Sequence, residues 1–233
     1  MPVLASIRRI LVPIHREGYV FILAGVGAML VLGFVWRPLF WLCAVLTLWI
    51  AYFFRDPPRV TPLGEGLIVA PADGRVNAIS EAVPPSELDL GAKPLRRLSI
   101  FMSVLDCHVN RAPIAGRIAK IAYRPGLFLN ADLDKASEDN ERNSLLLDTA
   151  HGKVVMVQIA GLVARRIVTA VTEGESPQAG ERIGIIRFGS RVDVYLPESF
   201  RILAGEGQRA VAGETVLADL AAEGKAARSF RTA

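Results

Sequence analysis

The sequence predicts a single compact β-rich domain, barrel- or sandwich-like, that follows an N-terminal hydrophobic helical hairpin. Two observations carry this prediction. Apolar residues fill positions 19–54, where Arg37 is the single charged residue. From residue 67 onward, short runs rich in β-branched residues alternate with Gly, Pro and Asn, a pattern typical of strands joined by turns.

The apolar block is too long for one membrane-spanning helix. Thirty-six helical residues would extend about 54 Å, whereas the hydrocarbon core of a bilayer is about 30 Å thick. The Arg37-Pro38 pair divides the block into residues 19–36 and 39–54 and suits the turn of a hairpin. Each arm is short for a complete span, so insertion into one leaflet stays open. A cleaved signal peptide is disfavoured because the stretch is long, begins late and lacks a small-residue cleavage site.

The charges around the hairpin predict its orientation. Basic residues accumulate on the cytoplasmic side of membrane segments, and only Arg37 lies at the turn. The basic residues outside the hairpin are Arg8, Arg9, Arg16, Arg55 and Arg59. We therefore expect a cell-membrane protein whose main domain faces the cytoplasm. The net charge of +4 suits anionic lipid headgroups. No nucleic-acid-binding motif is present, so no nucleic-acid partner is expected.

These observations divide the chain into four parts: a basic segment (1–18), the hairpin (19–54), a linker (55–66) and the β domain (67–233). The linker contains three prolines and two glycines, which disfavour a continuing helix. Within the domain, the acidic residues 131–142 are a candidate helix. Cys43 and Cys107 form neither a disulfide framework nor paired metal-ligand spacing, and no metal site is predicted.

Gly189-Ser190 separates two strand-like runs, IGIIRF and RVDVYLP. A Gly-Ser pair in such a place usually marks a bulge or a tight bend. The functional alternative is that the Ser190 hydroxyl attacks the carbonyl carbon of Gly189, where the missing side chain removes steric obstruction. The dipeptide alone favours the structural interpretation.

His108 is the best candidate for a general base. It lies in the polar cluster FMSVLDCHVNRAPIAG, and a histidine can both accept and return a proton near neutral pH. His15 precedes the hairpin and His151 lies in a predicted turn. If the segment is a strand, Cys107 points away from His108 and Asp106 shares its face. A histidine satisfied by hydrogen bonds at a strand edge is the structural alternative.

Asp73, in the segment PADG, is the candidate carboxylate that orients the histidine. The alternative is an ordinary turn, in which Asp73 bonds to nearby backbone amides and Gly74 supplies a positive φ. Arg165 and Arg166 either form a solvated strand end or help to hold a phosphate or carboxylate, and the sequence leaves this open.

Five segments in order resemble the signature of the short-form phosphatidylserine decarboxylases: FFRDPPR after the hairpin, APADG, FMSVLDCHVNRAP, QIAGLVARRI and RFGSRVDVYLP. The resemblance covers residues 19–219, and the combination is far more specific than any single segment. Larger members of the family carry a second histidine three positions after the first, where this chain has Arg111. The proton transfers then fall on His108 alone.

The resemblance implies a proenzyme that cleaves itself between Gly189 and Ser190, giving a β chain (1–189) and an α chain (190–233) that stay associated. In that reaction Ser190 attacks the Gly189 carbonyl, His108 removes its proton and Asp73 fixes the imidazole. Ser190 becomes a pyruvoyl group, the cofactor that takes up the electrons left when phosphatidylserine loses CO2 to give phosphatidylethanolamine. A phospholipid substrate also explains a membrane anchor.

Three alternatives stay open at this point. Archaetidylserine could replace phosphatidylserine as the substrate. A membrane-anchored β binding module without catalysis would explain the hairpin and the strands, but not Asp73, His108 and Gly189-Ser190. A membrane serine hydrolase would need Ser190 to persist as a hydroxyl, and the sequence around it lacks the G-x-S-x-G context. The sequence does not identify residues that bind the headgroup.

Overall fold

The computed structural model describes residues 12–126, 140–161, 166–187 and 190–220. The chain divides into two compact units, residues 1–58 and 59–233. The predicted candidate helix at 131–142 lies outside the described residues as far as position 139, and Arg142 opens a strand.

The first unit is a helical hairpin. A short 3-10 turn, Arg16–Gly18, leads into α1 (Tyr19–Val35), and α2 (Arg37–Phe53) follows. The two helices separate at Trp36, whose backbone is extended, and a proline occupies the first turn of α2, where its missing N–H is not needed. The predicted hairpin is therefore confirmed, with the break one residue before the Arg37-Pro38 pair.

Small residues let α1 and α2 approach each other closely. A Cβ atom added to Gly25 would lie 2.4 Å from Thr47 Oγ1. Within the described part of the chain, one helical stretch, Arg16–Val35, is long and apolar enough to cross a membrane by length and composition, and Arg37–Phe53 is shorter.

The second unit is mainly β, as predicted. Its strands in the described residues are β1 (Ile68–Val69), β2 (Gly74–Ala82), β3 (Leu95–Met102), β4 (Val109–Arg111), β5 (Arg117–Arg124), β6 (Arg142–Thr149), β7 (Gly152–Ala160), β8 (Arg166–Thr169), β9 (Arg182–Arg187), β10 (Ser190–Leu196), β11 (Phe200–Ile202), β12 (Arg209–Ala210) and β13 (Val216–Leu220).

These strands form three antiparallel sheets. The largest has the order β12-β2-β3-β10-β7-β6-β5, and two three-stranded sheets have the orders β1-β13-β11 and β4-β9-β8. Strand β10 occupies the centre of the seven-stranded sheet, with β3 on one side and β7 on the other. All seven of its residues are buried, so the sheet is covered on both faces at this strand.

Two apolar clusters cover the two faces of the seven-stranded sheet. The larger joins residues of all three sheets, among them Ile68, Ile100, Ile183 and Val192. The smaller lies on the opposite face and includes Leu88, from the 3-10 helix Ser86–Leu88. The larger cluster is therefore the core that holds the three sheets together.

Candidate active site

Ser190 is the first residue of β10, and its side chain is fully buried. Its backbone pairs with Met102 on β3 and with Ala160 on β7. The preceding strand, β9, belongs to a different sheet, so the chain passes from one sheet to another just before Ser190. Gly189, the other half of the predicted cleavage site, lies outside the described residues. Cleavage at this bond stays a prediction.

The Ser190 hydroxyl has a weak hydrogen-bond partner. Its Oγ lies 4.0 Å from Met102 Sδ, and a thioether sulfur is a poor acceptor. Among the described residues no carboxylate or carbonyl holds this hydroxyl. Within that part of the chain, its proton is therefore not committed to a strong bond.

His108 immediately precedes β4 and is fully buried. Its carbonyl oxygen accepts a hydrogen bond from Ile186 N at 3.3 Å, four residues before Ser190. On the other side, His108 lies six positions after Met102, the strand partner of Ser190. Both backbone connections keep His108 at the end of the sheets where β10 begins, so the structure brings the predicted base and nucleophile to one region.

The hydrogen bond of the His108 ring indicates which of its two nitrogens carries the proton in the neutral form. Nδ1 lies 3.0 Å from the carbonyl oxygen of Asp106, which can only accept. In the neutral imidazole Nδ1 therefore carries the proton, and Nε2 carries the lone pair. This is the tautomer that a general base requires.

Asp106 fixes the turn that supplies this carbonyl. One carboxylate oxygen accepts from the backbone N and the hydroxyl of Ser103, at 2.9 and 2.8 Å, and the other accepts from Arg209 at 2.8 Å. Partial burial opposes ionisation, but these bonds outweigh it and lower the pKa of Asp106. On a strand, Asp106 and His108 would share one face, whereas here Asp106 lies in a turn and the contact comes from its backbone.

Asp73 has other partners than the imidazole. Its Oδ1 accepts from Ala212 N at 2.8 Å, and its Oδ2 forms an ion pair with Arg59 at 2.7 Å. The PADG segment does lie beside β4, because Arg111 N donates to the carbonyl oxygen of Pro71 at 2.8 Å. The structure thus places the Asp106 carbonyl at His108 Nδ1, and a catalytic role for Asp73 stays a prediction.

The glycine after Asp73 explains why this corner can approach the sheet. Gly74 has a φ of 155°, and a Cβ atom there would lie 2.1 Å from the carbonyl oxygen of Phe101. No other residue type fits so close an approach without a shift of the backbone. The corner is therefore held tightly against β3, one residue from Met102.

Sequence analysis missed a chain of buried amides on the Ser190 face of the sheet. Gln158 Nε2 donates to Asn110 Oδ1 at 2.8 Å, and Asn143 Nδ2 donates to Gln158 Oε1 at 3.0 Å. Asn143 Nδ2 also donates to Thr169 Oγ1 at 2.9 Å. A signal was present in the sequence, because Gln158 is a polar residue within the apolar run KVVMVQIAG.

The remaining candidates contribute less to this region. Arg165 lies outside the described residues, and Arg166 is exposed at the start of β8. His151 lies in the turn between β6 and β7, with Nε2 3.9 Å from Glu65 Oε1. His15 caps the 3-10 turn of the first unit. Neither of these two histidines competes with His108 as the base.

Comparison with known proteins identifies the family of this chain. The model of the phosphatidylserine decarboxylase family matches residues 46–218, a range that includes Asp73, His108 and Ser190. A relative from Beijerinckia indica subsp. indica, a phosphatidylserine decarboxylase proenzyme, is 60% identical over 219 residues, which are 94% of this chain and 94% of the relative. The chain therefore belongs to the phosphatidylserine decarboxylase family.

Proposed function

We propose that this chain is a proenzyme that cleaves itself at Gly189-Ser190 and then decarboxylates phosphatidylserine to phosphatidylethanolamine and CO2. The observation that carries the proposal is the position of Ser190. In a member of this family, a buried serine with a weakly held hydroxyl begins the central strand, in the same region as a buried histidine of the required tautomer.

Self-cleavage begins at the Ser190 hydroxyl. As Oγ attacks the carbonyl carbon of Gly189, His108 Nε2 takes the hydroxyl proton and the carbonyl π electrons move to oxygen. When these electrons return, the C–N bond breaks and the same proton passes from His108 to the departing nitrogen. The product is an ester between Oγ and Gly189, with a new amino group on residue 190.

The ester is then resolved by elimination. Residue 190 loses its α proton, the Cβ–Oγ bond breaks and the Gly189 carboxylate leaves as the end of the β chain. The resulting enamine becomes an imine, and water replaces its nitrogen with oxygen while ammonia departs. Residue 190 is then a pyruvoyl group.

The surroundings of Ser190 fit such a group. The site is buried, with apolar neighbours on the larger core face, and Asn110 Nδ2 approaches the same sulfur as the Ser190 hydroxyl, so a donor is at hand for an oxygen atom. The pyruvoyl carbonyl supplies the electron sink for the pair left by CO2. We assign to His108 the return of a proton to the carbon that lost CO2.

The strand order supports the association of the two chains after cleavage. Residues 190–233 contribute β10 to the centre of the largest sheet, between β3 and β7 of the β chain. They also contribute β13, which pairs with β1 of the β chain. Separating the chains would break backbone ladders in two sheets, so we propose that the enzyme acts as a heterodimer of its own fragments.

The apolar hairpin supports a location at the membrane. Its stretch Arg16–Val35 is long and apolar enough to cross a membrane by length and composition, and the substrate is a lipid that stays in the bilayer. Basic residues flank the hairpin on both sides, which favours the cytoplasmic face of the cell membrane for the catalytic domain.

Intact mass measurement on the purified protein under denaturing conditions tests the proposal. We expect two chains that end at Gly189 and begin at residue 190, with a ketone at the new N-terminus that reacts with amine plus borohydride. Ser190→Ala should stay a single chain and lack decarboxylase activity. A single full-length chain from active protein would overturn the proposal. The same assay on Asp73→Asn tests the predicted role of Asp73. If Asp73 orients the imidazole, this variant should cleave more slowly than the wild-type chain.

A further inference from the structure

Two buried donors converge on one poor acceptor beside the proposed cleavage site. Asn110 Nδ2 lies 3.7 Å from Met102 Sδ, and Ser190 Oγ lies 4.0 Å from the same sulfur. All three residues are fully buried. A neutral oxygen, and far more a negatively charged one, would satisfy the Asn110 N–H better than a thioether does.

The amide chain determines which end of Asn110 faces the sulfur. Because Gln158 donates its Nε2 to Asn110 Oδ1, the NH2 group of Asn110 points toward Met102. Gln158 is itself oriented by Asn143, which donates to its Oε1 and to Thr169. The direction of this donor is thus set by two further buried side chains.

A glycine on the neighbouring strand leaves space for the Gln158 side chain that orients Asn110. Gly184 pairs with Asn110 across β4 and β9, and a Cβ atom on Gly184 would lie 3.1 Å from Gln158 Nε2. Buried polar side chains are costly unless their hydrogen bonds are satisfied. Apolar side chains at these positions would avoid this cost. The chain of amides instead ends in the Asn110 N–H, which has only a poor acceptor, beside Ser190.

We propose that Asn110 donates the hydrogen bond that stabilises the negative oxygen formed during self-cleavage. This inference rests on the proposed cleavage at Gly189-Ser190 and adds the oxyanion donor to it. When Ser190 Oγ bonds to the carbonyl carbon, the π electrons collect on the carbonyl oxygen, and the Asn110 N–H binds that oxygen until the C–N bond breaks. Asn110 gives up no proton in the step.

The test follows cleavage of the full-length chain, synthesised without cells in the presence of lipid nanodiscs, by denaturing gel against time. Asn110→Asp keeps an acceptor for Gln158 and nearly the same volume but removes the N–H. We expect it to slow cleavage about 10²- to 10³-fold, as loss of one oxyanion donor does.

Thr169→Val provides the matched control. It removes a hydrogen bond from the far end of the same amide chain, and we expect its cleavage rate to stay within about threefold of wild type. Folding is checked separately by thermal unfolding of each variant combined with Ser190→Ala, which removes cleavage. A folded Asn110→Asp chain that cleaves slowly supports the proposal, and one that cleaves within about threefold of wild type overturns it.

Asn110→Leu keeps the proposal testable if Asn110→Asp fails to fold. Leucine has roughly the size of asparagine, carries no charge and has no N–H to donate. If Asn110 acts on the oxyanion, this variant should also slow cleavage about 10²- to 10³-fold, and a folded Asn110→Leu chain that cleaves within about threefold of wild type would overturn the proposal. Failure of the wild-type chain to cleave would refute the proposed function itself.

Discussion

The two faces of strand β10 are both buried, but they hold polar groups of different kinds. Ser190 and Val192 face the larger core, where the nearby polar side chains include neutral amides and hydroxyls. Arg191 and Asp193 face the other side and form a buried ion pair, with Nε–Oδ1 at 2.9 Å and Nη2–Oδ2 at 3.0 Å. Tyr195 belongs to the smaller cluster on that side.

This difference suggests a separate task for each face: the Ser190 face takes part in the reaction, and the Arg191 face holds the strand in place. Neutral donors and acceptors can exchange hydrogen bonds during a reaction, whereas a buried ion pair leaves a costly charge when either partner is lost. Arg191 directly follows Ser190, so the ion pair holds the first residues of β10, where the proposed α chain begins. We therefore expect substitutions on the Ser190 face to change reaction rates, and substitutions on the Arg191 face to change stability.

His108→Ala should give the largest effect and test the reactive side of this comparison. Removing a general base typically costs about 10²- to 10⁴-fold in rate, and we expect self-cleavage to slow within that range. Denaturing gels of freshly synthesised chain measure the rate. His151→Ala is the matched control, because it removes a histidine from an outlying turn, and it should cleave normally. Normal maturation of His108→Ala would show that another group is the base.

Asp193→Asn should give the next largest effect, on stability. It leaves the Arg191 guanidinium buried without its carboxylate, a change that typically costs about 3 to 5 kcal/mol. Chemical denaturation of the uncleaved Ser190→Ala chain, followed by circular dichroism, measures the free energy of unfolding. Lys93→Ala, which breaks an exposed pair with Glu198, should leave that free energy unchanged within error.

A double substitution sharpens this second prediction. Arg191→Met with Asp193→Leu replaces both charges by apolar side chains, and such replacements of buried ion pairs are often neutral or stabilising. The double variant should therefore be more stable than Asp193→Asn, although Arg97, which also interacts with Asp193, still loses that carboxylate. If it is as unstable as the single variant, the pair is not the source of the loss.

The strands on either side of the proposed cleavage site were predictable, and their membership in two sheets was not. The β-branched residues of β9 and β10 indicate strands from local sequence alone, whichever sheet each strand joins. Their sheet partners, β4 and β3, are set by contacts between residues distant in sequence. Strand β6 escaped prediction because its first residues, Arg142 to Ser144, are polar, although Glu87 and Gln158 satisfy them in the interior.

Within the candidate site, residue type is enough to propose His108 and Ser190, but their hydrogen-bond partners could not be inferred from the sequence. A backbone carbonyl orients His108, and any residue type could provide one. The contacts of Asp73 with Arg59 and Ala212 join positions 14 and 139 residues away. Met102 is unremarkable in the sequence, and only the register of β3 and β10 places it beside Ser190.

Tyr195→Phe should give the smallest effect and test the Arg191 face through pH. Burial, together with the Asp193 carboxylate, raises the pKa of Tyr195 to about 12, from 10.0 in the unfolded chain. The neutral phenol is thus favoured in the folded state. Its contribution to stability is fully present below pH 10 and is lost as the pH rises from 10 to 12.

Denaturation of the Ser190→Ala chain, with and without Tyr195→Phe, at several pH values between 8 and 12 measures this contribution. At pH 8 the variant should be about 1 kcal/mol less stable, because it loses the hydrogen bond with Arg97. Above pH 10 the chain that keeps Tyr195 should lose about 2 to 3 kcal/mol more than the variant does. Parallel curves across this range would mean that Tyr195 ionises as it does in water, and that this face of β10 is more open to solvent than its burial indicates.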